Sequence, residues 1–513
     1  MPQRPYRSVP PEPANVEGEV SVSNTSDAPT IGAATSNRHD DGTSKNRLDR
    51  FFEITKRGSS VAAEVRGGVV TFVTMAYIVI LNPIILSSGV DVDGNSLDFA
   101  QLSAVTGLTA GVMTILFGLV ARLPFGFAAG LGINSFLAVS VVGEVTWPEA
   151  MGLVIINGLI IVLLAATGLR RMIFDAVPLQ LKLAITVGIG LFIAFIGFVN
   201  AGFVTATGVG SPPVGLGVEG SIGTIPTLVF VFTLLLTGIL MARRVRGGIL
   251  IGLVSGTVLA VIVEAVWNLG SAVDTPGGWG LSVPELPAQW VSLPDLALVG
   301  QVDLFGAFAR IGILAALMLV FTLVFTNFFD AMGTLTGLAK EAGLSDAQGN
   351  FPRLRSALIV EGVGAVAGGY TSGSSNTVFI ESGAGIGEGA RTGLANLVTG
   401  GLFLVAMFFT PLVSIVPTEV AAAALVIVGA LMMSQIRAID FSDFSVLLPV
   451  FLAVTVMPLT YSIANGIGAG FVSWVIVRVF AGKAREISPL LWIVSAGFVV
   501  YFARGPIEAL LGA

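Results

Sequence analysis

Ser372-Gly-Ser-Ser-Asn-Thr-Val-Phe-Ile-Glu381-Ser-Gly-Ala-Gly-Ile-Gly-Glu-Gly389 lies between long apolar runs, yet it carries five glycines among Ser and Thr. Glycine and serine weaken a helix, and glycine leaves backbone accessible, so this stretch is a poor lipid-facing helix. A second abnormal run lies earlier: Pro124-Phe-Gly-Phe-Ala-Ala-Gly-Leu-Gly-Ile-Asn134-Ser-Phe136, continuing to Val142. Counted with the apolar runs around them, each is the third of a set of seven. Short, glycine-interrupted segments at matching positions of two halves point to a transporter binding site.

The surrounding runs fall near 67–88, 100–120, 125–142, 147–168, 181–202, 224–242 and 247–267. After a polar stretch to about 304, they resume near 308–330, 355–371, 374–387, 391–413, 419–435, 443–458 and 462–481. Most are long enough to cross roughly 30 Å of hydrocarbon as helices. Composition agrees with that. Of 513 residues, 54% are hydrophobic and only 11% charged, and mean hydropathy is +0.90. An ordinary soluble domain carries about 25% charged residues, so this is a polytopic, all-α membrane protein. The chain has no Cys, and its one His, His39, lies in a polar tail. Disulfides, Fe–S clusters, thiol catalysis, histidine zinc sites and Ser-His triads therefore have no material. No metal or cofactor is expected, and the chain is not read as an enzyme. Residues 1–46 are rich in Pro, Ser, Asn, Thr, Gly and Asp, which predicts a disordered cytoplasmic tail without a secretory h-region.

Charge placement tests the span map. With the N-terminus inside, the inside segments hold Arg47, Arg50, Lys56, Arg57, Arg66, Arg122, Arg170, Arg171, Lys182, Arg243, Arg244 and Arg246. In the second half they hold Lys340, Arg353, Arg355, Arg391, Arg437, Arg478, Lys483 and Arg485. Outside loops carry acids such as Asp91, Asp93, Asp98, Glu149, Asp295 and Glu419; only Arg310 and Arg504 break the alternation. The positive-inside rule thus supports fourteen spans and a cytoplasmic N-terminus. Residues 489–505 are also apolar, and a fifteenth span and an interfacial helix both stay open. Seven is odd, so a second set of seven enters from the opposite side and the repeats are inverted. Matching features recur at similar offsets: Val177-Pro178 with Val416-Pro417, Asn82 with Asp330, and Asn134 with Glu381.

Few charged residues fall within the spans. Asp330 lies in Phe325-Thr-Asn-Phe-Phe-Asp330-Ala-Met-Gly-Thr334, near the expected end of its span, and Glu381 lies in the glycine-rich stretch. Glu264, Arg310 and Glu361 sit nearer span ends, where a structural role is the simpler reading. A carboxylate in a bilayer costs at least about 2.5–3.5 kcal/mol on insertion scales, so it needs a partner, a proton or a wet cavity. Asp330 and Glu381 sit among small and polar residues, where a cavity can form. Asn134 adds a donor and an acceptor. Phe136 and Phe379 could stack on a flat ring, although with 33 Phe in the chain packing is the plainer explanation for either.

These residues carry a resemblance. Ala76-Tyr77-Ile78 through Asn82-Pro83, Ala129-Gly-Leu-Gly-Ile-Asn134-Ser-Phe136, Phe329-Asp330-Ala-Met-Gly-Thr334 and Ser374-Ser-Asn-Thr-Val-Phe-Ile-Glu381-Ser-Gly-Ala-Gly385 resemble the AzgA-like purine permeases. Arg391-Thr-Gly393 and Met457-Pro-Leu-Thr-Tyr-Ser-Ile-Ala-Asn-Gly466 complete the set, in order over about residues 48–505. That family belongs to the nucleobase–cation symporters and is similar in fold to the uracil permease. The resemblance implies fourteen transmembrane segments as two inverted repeats of seven, with discontinuous third and tenth segments, each a short strand plus a half-helix. It implies a core domain from spans 1–4 and 8–11 (residues 47–176 and 305–414) and a gate domain from spans 5–7 and 12–14 (177–304 and 415–487). Residues 488–513 form a C-terminal apolar segment.

By the same resemblance, Asn134, Asp330 and Glu381 bind substrate, with Phe136 and Phe379 as stacking candidates. Asp330 and Glu361 are the proton-coupling candidates. Glu361 stands where relatives often have Asp, and Asn376 and Ser135 also depart from the commonest family residues. The Gln/Glu-Asn-x-Gly signature of the xanthine, urate and uracil branch is missing after span ten, which favours adenine, guanine or hypoxanthine. The expected function is proton symport of purine nucleobases into the cell, by alternating access, in a plasma membrane and most simply a bacterial inner membrane. The partners are a purine nucleobase, a proton and the lipid bilayer, with a homodimer left open and no nucleic acid. The alternatives are a same-fold carrier of uracil, xanthine or an inorganic anion, or a channel.

Overall fold

The computed structural model describes residues 47–168, 176–208, 210–217, 220–280, 282–345 and 351–503. The tail 1–46, Arg170, Arg171 and Arg504 lie outside the described residues. The first half runs α1 (Arg47–Phe52), α2 (Val61–Met75), α3 (Ile78–Ser87), α4 (Phe99–Val120), β1 (Phe127–Ala129), α5 (Leu131–Phe136) and α6 (Trp147–Thr167). It continues with α7 (Leu179–Asn200), a small hairpin β2 (Val204–Ala206) and β3 (Val214–Leu216), α8 (Ile225–Ala242) and α9 (Gly248–Trp267). The second half runs α10 (Gly306–Ile311), α11 (Ile313–Glu341), α12 (Leu354–Tyr370), β4 (Asn376–Val378), α13 (Ser382–Gly387), α14 (Leu394–Ala406) and α15 (Thr410–Val413). It ends with α16 (Thr418–Met433), α17 (Phe444–Leu459), α18 (Ile463–Phe480) and α19 (Pro489–Phe502). Among the described residues, ten helices are long and apolar enough to cross a membrane, counting α2–α3 and α14–α15 as one each.

The helices pack most extensively within two groups. One joins α4 to α14, α6 to α12, α2 to α13 and α14, and α11 to α6. The other joins α7 to α16 and α17, α17 to α18, α8 to α9 and α16, and α18 to α19. Close backbone approach sets the spacing. A Cβ on Gly393 would stand 1.9 Å from the Gly118 carbonyl oxygen, and one on Gly429 would stand 2.4 Å from that of Gly190. Only glycine lets the backbones meet there, since a close-packed interior has no slack to absorb the added atom.

The charge alternation has a structural counterpart. Arg57 donates to the carbonyls of Arg122 (2.6 Å) and Arg391 (3.2 Å). Arg353 donates to Val120 at the end of α4, and Arg355 to Ala166 at the end of α6. Cations here meet the electronegative ends of helices and satisfy carbonyls that lack an intrahelical donor. At the opposite ends of the same helices stand acids. Asp98 accepts the Gln101 amide at the start of α4, and Glu149 completes a capping box with Thr146 at the start of α6. Arg310, the exception, lies at this acidic end. It pairs with Glu149 at 2.9 Å and Asp93 at 3.4 Å, and Gly312 (φ 82°) separates its short helix from α11. Outside the spans, Lys483 draws the Asp443 carboxyl well below the usual range.

Three expectations need correction. The first span is broken: α2 ends at Met75 and α3 starts at Ile78, with i→i+3 bonds from Val79 to Ala76 and Ile80 to Tyr77. Pro83 within α3 supplies no amide hydrogen and crowds the preceding turn. The eighth span starts at 313 rather than 308 and runs to Glu341, so Asp330 is interior to it. The extension holds because Ala331, Leu335, Leu338, Ala339 and Ala342 form one buried stripe. Glu361 is not near an interface either; it is fully buried within α12. Glu264 does play the structural role: it accepts amides of Leu269 and Gly270 and the Trp279 indole N–H beyond α9. The apolar segment after 488 forms α19, whose 14 residues reach about 21 Å at 1.5 Å each.

Candidate binding cleft at the crossed strands

The two glycine-rich stretches meet. β1 and β4 pair antiparallel with Phe127 opposite Val378, Ala128 opposite Thr377 and Ala129 opposite Asn376. The ladder extends at both ends through Gly130 N–H to the Ser375 carbonyl and Phe379 N–H to the Gly126 carbonyl. Irregular backbone inside a membrane protein must be satisfied from within, and side chains of neighbouring helices do this. Thr114 both donates to the Phe127 carbonyl and accepts its amide at 2.9 Å. Asn396 donates to Phe125 at 2.6 Å, and the Ser382 hydroxyl accepts the Gly126 amide. Each strand then leads into a short helix, β1 into α5 and β4 into α13. The first amides of a helix have no intrahelical acceptor. At α5 these belong to the Leu131, Gly132 and Ile133 stretch, which borders a cleft.

The cleft is open to solvent and holds about 110 Å³ of accessible space, less than the roughly 300–1,000 Å³ of a drug-sized ligand site. Its polar groups come from the first helix group: Asp330 and Thr326 of α11, Thr377 of β4, and Glu381. Ile189 of α7 with Val428 and Met432 of α16 form an apolar wall from the second group. The Tyr77 hydroxyl donates to Glu381 Oε1 at 2.5 Å, which fixes that carboxylate's orientation and leaves Oε2 free of this bond. Tyr77 is almost wholly buried, and its ring lies 6.5 Å from that of Phe379. Glu381 and Ile380 also border a second cleft of about 870 Å³, lined by Arg244 and Arg246 of the α8–α9 turn. The two clefts thus share Ile380 and Glu381 in their linings, and the second one lies at the basic end of the molecule.

The candidates from sequence divide. Asp330, Glu381 and Phe379 line the cleft. Asn134, Phe136 and Glu361 are not among the residues that line it. Asn134 is fully buried and donates from Nδ2 to Asn82 Oδ1 at 2.5 Å. Asn82 in turn donates to Thr106 Oγ1 and the Gly373 carbonyl. These amides tie α5, α3 and α4 to the loop that precedes β4. Phe136 is fully buried in the main apolar core. Glu361 lies beside Thr377 and Val378 of β4, with no hydrogen bond of good geometry to either carboxylate oxygen among the described residues. Tyr77 is the residue that sequence reasoning missed. Its signal was rarity, one of five Tyr, placed in an otherwise apolar span.

Asn134→Ala should remove the amide pair and leave Asn82 Oδ1 buried without a donor, at a cost of about 1–3 kcal/mol. The melting temperature in detergent should fall by the same amount with and without purine. A fall confined to the ligand-bound form would return Asn134 to the binding site.

The profile of the Permease family (Xan_ur_permease) matches residues 62–469, which include both strands and both carboxylates of the cleft. Among characterised proteins, the chain is 38% identical over 464 residues to the guanine/hypoxanthine permease PbuG of Bacillus subtilis, covering 89% of this chain and 99% of that protein. It is 34% identical over 456 residues to the adenine permease AdeQ of Escherichia coli, covering 88% and 95%. Among solved structures, the transmembrane domain of the cyanobacterial bicarbonate transporter BicA superposes with a TM-score of 0.55 at 16% identity, covering 81% of this chain and 96% of that one. Murine Slc26a9, an anion transporter in the inward-facing state, gives 0.55 at 11% identity, covering 86% and 73%. At those identities the likeness concerns fold alone. With the family profile running through most of its length and purine permeases among its relatives, the chain belongs to the Permease family, in the company of the AzgA-like purine permeases.

Proposed function

We propose that this chain is a secondary active transporter that imports purine nucleobases, namely hypoxanthine, adenine and guanine, by proton symport. The observation that carries the reading is the cleft itself: two carboxylates from one helix group face an apolar wall from the other. A purine is flat and apolar on its faces and carries N–H donors and ring-nitrogen acceptors along its edge. Ile189, Val428 and Met432 suit the face. Glu381 suits the donors, and free amides at the start of α5 suit the acceptors. An inorganic anion would meet Asp330 and Glu381 in the same space and be repelled. Guanine, hypoxanthine and adenine are the bases named for the relatives.

The two helix groups act as core (47–176 and 305–414) and gate (177–304 and 415–487). Alternating access is movement of one against the other, with the ligand between them. The antiparallel crossing of β1 and β4 suits a twofold axis in the membrane plane, which supports fourteen segments in two inverted repeats. The basic end faces the cytoplasm of a plasma membrane, a bacterial inner membrane in the simplest case. Asp330 carries the coupling proton at the cleft, and Glu361 stands behind β4 as a second proton-binding group. Asn134 positions α5 rather than meeting the ligand.

Uptake of radiolabelled hypoxanthine into cells expressing the protein tests the substrate assignment. Excess unlabelled adenine and guanine should suppress it and uracil should not, and a protonophore should abolish accumulation. Suppression by uracil alone, or by sulfate or bicarbonate, would overturn the purine reading.

A further inference from the structure

Glu388 follows the half-helix α13 and lies seven residues beyond the ligand carboxylate. Its side chain is largely buried, at 12% exposure, yet two guanidinium groups reach it. Arg66 of α2 pairs through Nε with Oε2 at 2.8 Å and also donates to the Glu388 carbonyl. That pair lies within the first helix group. The other partner, Arg246, pairs with Oε1 and belongs to the α8–α9 turn of the second group. The same turn touches the first group again one residue on. Gly247 adopts φ +69°, and a Cβ there would come within 3.0 Å of Val73 Cγ1 on α2. Arg246 and Glu381 border one cleft at the basic end.

We infer that the Arg246–Glu388 pair is a latch between the two helix groups, holding the conformation whose cleft opens toward the basic end. This rests on the core-and-gate reading given above. An ion pair inside a moving body stays intact through the movement and biases nothing. An ion pair across the boundary contributes to one end state only and therefore shifts the equilibrium between them. Glu388 has one of each. Arg66 holds the carboxylate in place as α13 moves, so when the gate turn departs the charge is left paired rather than stranded. Arg246 is 65% exposed and is hydrated once released. The latch is therefore weak by construction, as a part that must open in every cycle has to be.

The chain contains no cysteine, so a single cysteine can report the opening. Ala384 borders the basic-end cleft on α13. Ala384→Cys in right-side-defined proteoliposomes would be labelled from the basic side with a membrane-impermeant maleimide, without any substrate. Adding Arg246→Gln should slow labelling about two- to five-fold, the range expected for loss of one partly exposed ion pair. Arg246→Lys should keep most of the wild-type rate. Arg66→Gln, which removes only the internal pair and would strand Glu388 once the turn departs, should not slow labelling. Equal labelling in the Arg246→Gln and parent proteins would overturn the latch, and so would an equal slowing by Arg66→Gln. Because no purine enters the assay, a wrong substrate assignment would leave this result standing.

Discussion

Glu381→Gln should lower purine affinity at least tenfold while the protein still reaches the membrane. The substitution keeps the shape of the side chain and removes its charge. Hydrogen bonds to a charged group contribute about 1.5–3 kcal/mol, and each 1.4 kcal/mol is about a factor of ten in affinity. The geometry makes the loss specific. Tyr77 already donates to Oε1, so ligand N–H groups meet a carboxylate whose orientation is set before binding. An amide there offers one acceptor where the carboxylate offers two, and places an NH2 donor against either Tyr77 or the ligand. Binding of radiolabelled hypoxanthine to the purified variant reads the effect directly. Unchanged affinity would remove Glu381 from the ligand site. Tyr77→Phe, which keeps the charge and frees its orientation, should weaken binding by less.

Asp330→Asn should separate binding from accumulation. The side chain lines the same cleft as Glu381 but stands on α11, interior to a 29-residue helix. Its counterpart in the first half by sequence offset is Asn82, an uncharged amide already engaged with Asn134, Thr106 and the Gly373 carbonyl. Of these two positions, only Asp330 presents a titratable group to the cleft. Asparagine mimics the protonated acid permanently. The variant should bind purine and exchange it in counterflow at a rate comparable to wild type, and should fail to concentrate it on an imposed pH gradient. Normal gradient-driven accumulation would place the coupling proton elsewhere, with Glu361 and Glu381 next. Glu361 is the more interesting of these, because it is buried with only Thr377 and Val378 beside its carboxylate and no hydrogen bond of good geometry among the described residues.

The sequence made some features legible because their physics is local. Glycine where lipid-facing helices need bulk marked both strand–helix segments, and the structure brings those two segments into one ladder. Arginines at one set of helix ends and acids at the other were readable as alternation, and the reason is hydrogen bonding to helix termini. Features set by tertiary contact were not readable. The break at Ala76–Tyr77 aims a hydroxyl at a residue 304 positions away, and no window around Tyr77 contains that partner. Asp330 fell near the end of the apolar run placed at 308–330. The helix continues because Leu335, Leu338, Ala339 and Ala342 belong to an apolar cluster with Phe117, Phe125 and Phe127, remote in sequence. Asn134 looked like a ligand group because polar residues in spans are rare. In the structure its Nδ2 donates to Asn82, another such residue, while its own Oδ1 is buried without a partner among the described residues, an arrangement that composition does not reveal.

The central claim is that movement of protons down their gradient concentrates purine through this cleft. The direct measurement is hypoxanthine accumulation in proteoliposomes of purified wild-type protein, with an acidic exterior and the internal concentration followed against the external one. One charge moved through 100 mV supplies about 2.3 kcal/mol, so a potential of that size should support roughly fifty-fold accumulation before any pH contribution. The account predicts internal hypoxanthine well above the external level, collapsing to equality when a protonophore is added. Uptake that only ever equilibrates, with the gradient intact and the protein otherwise active in counterflow, would contradict it.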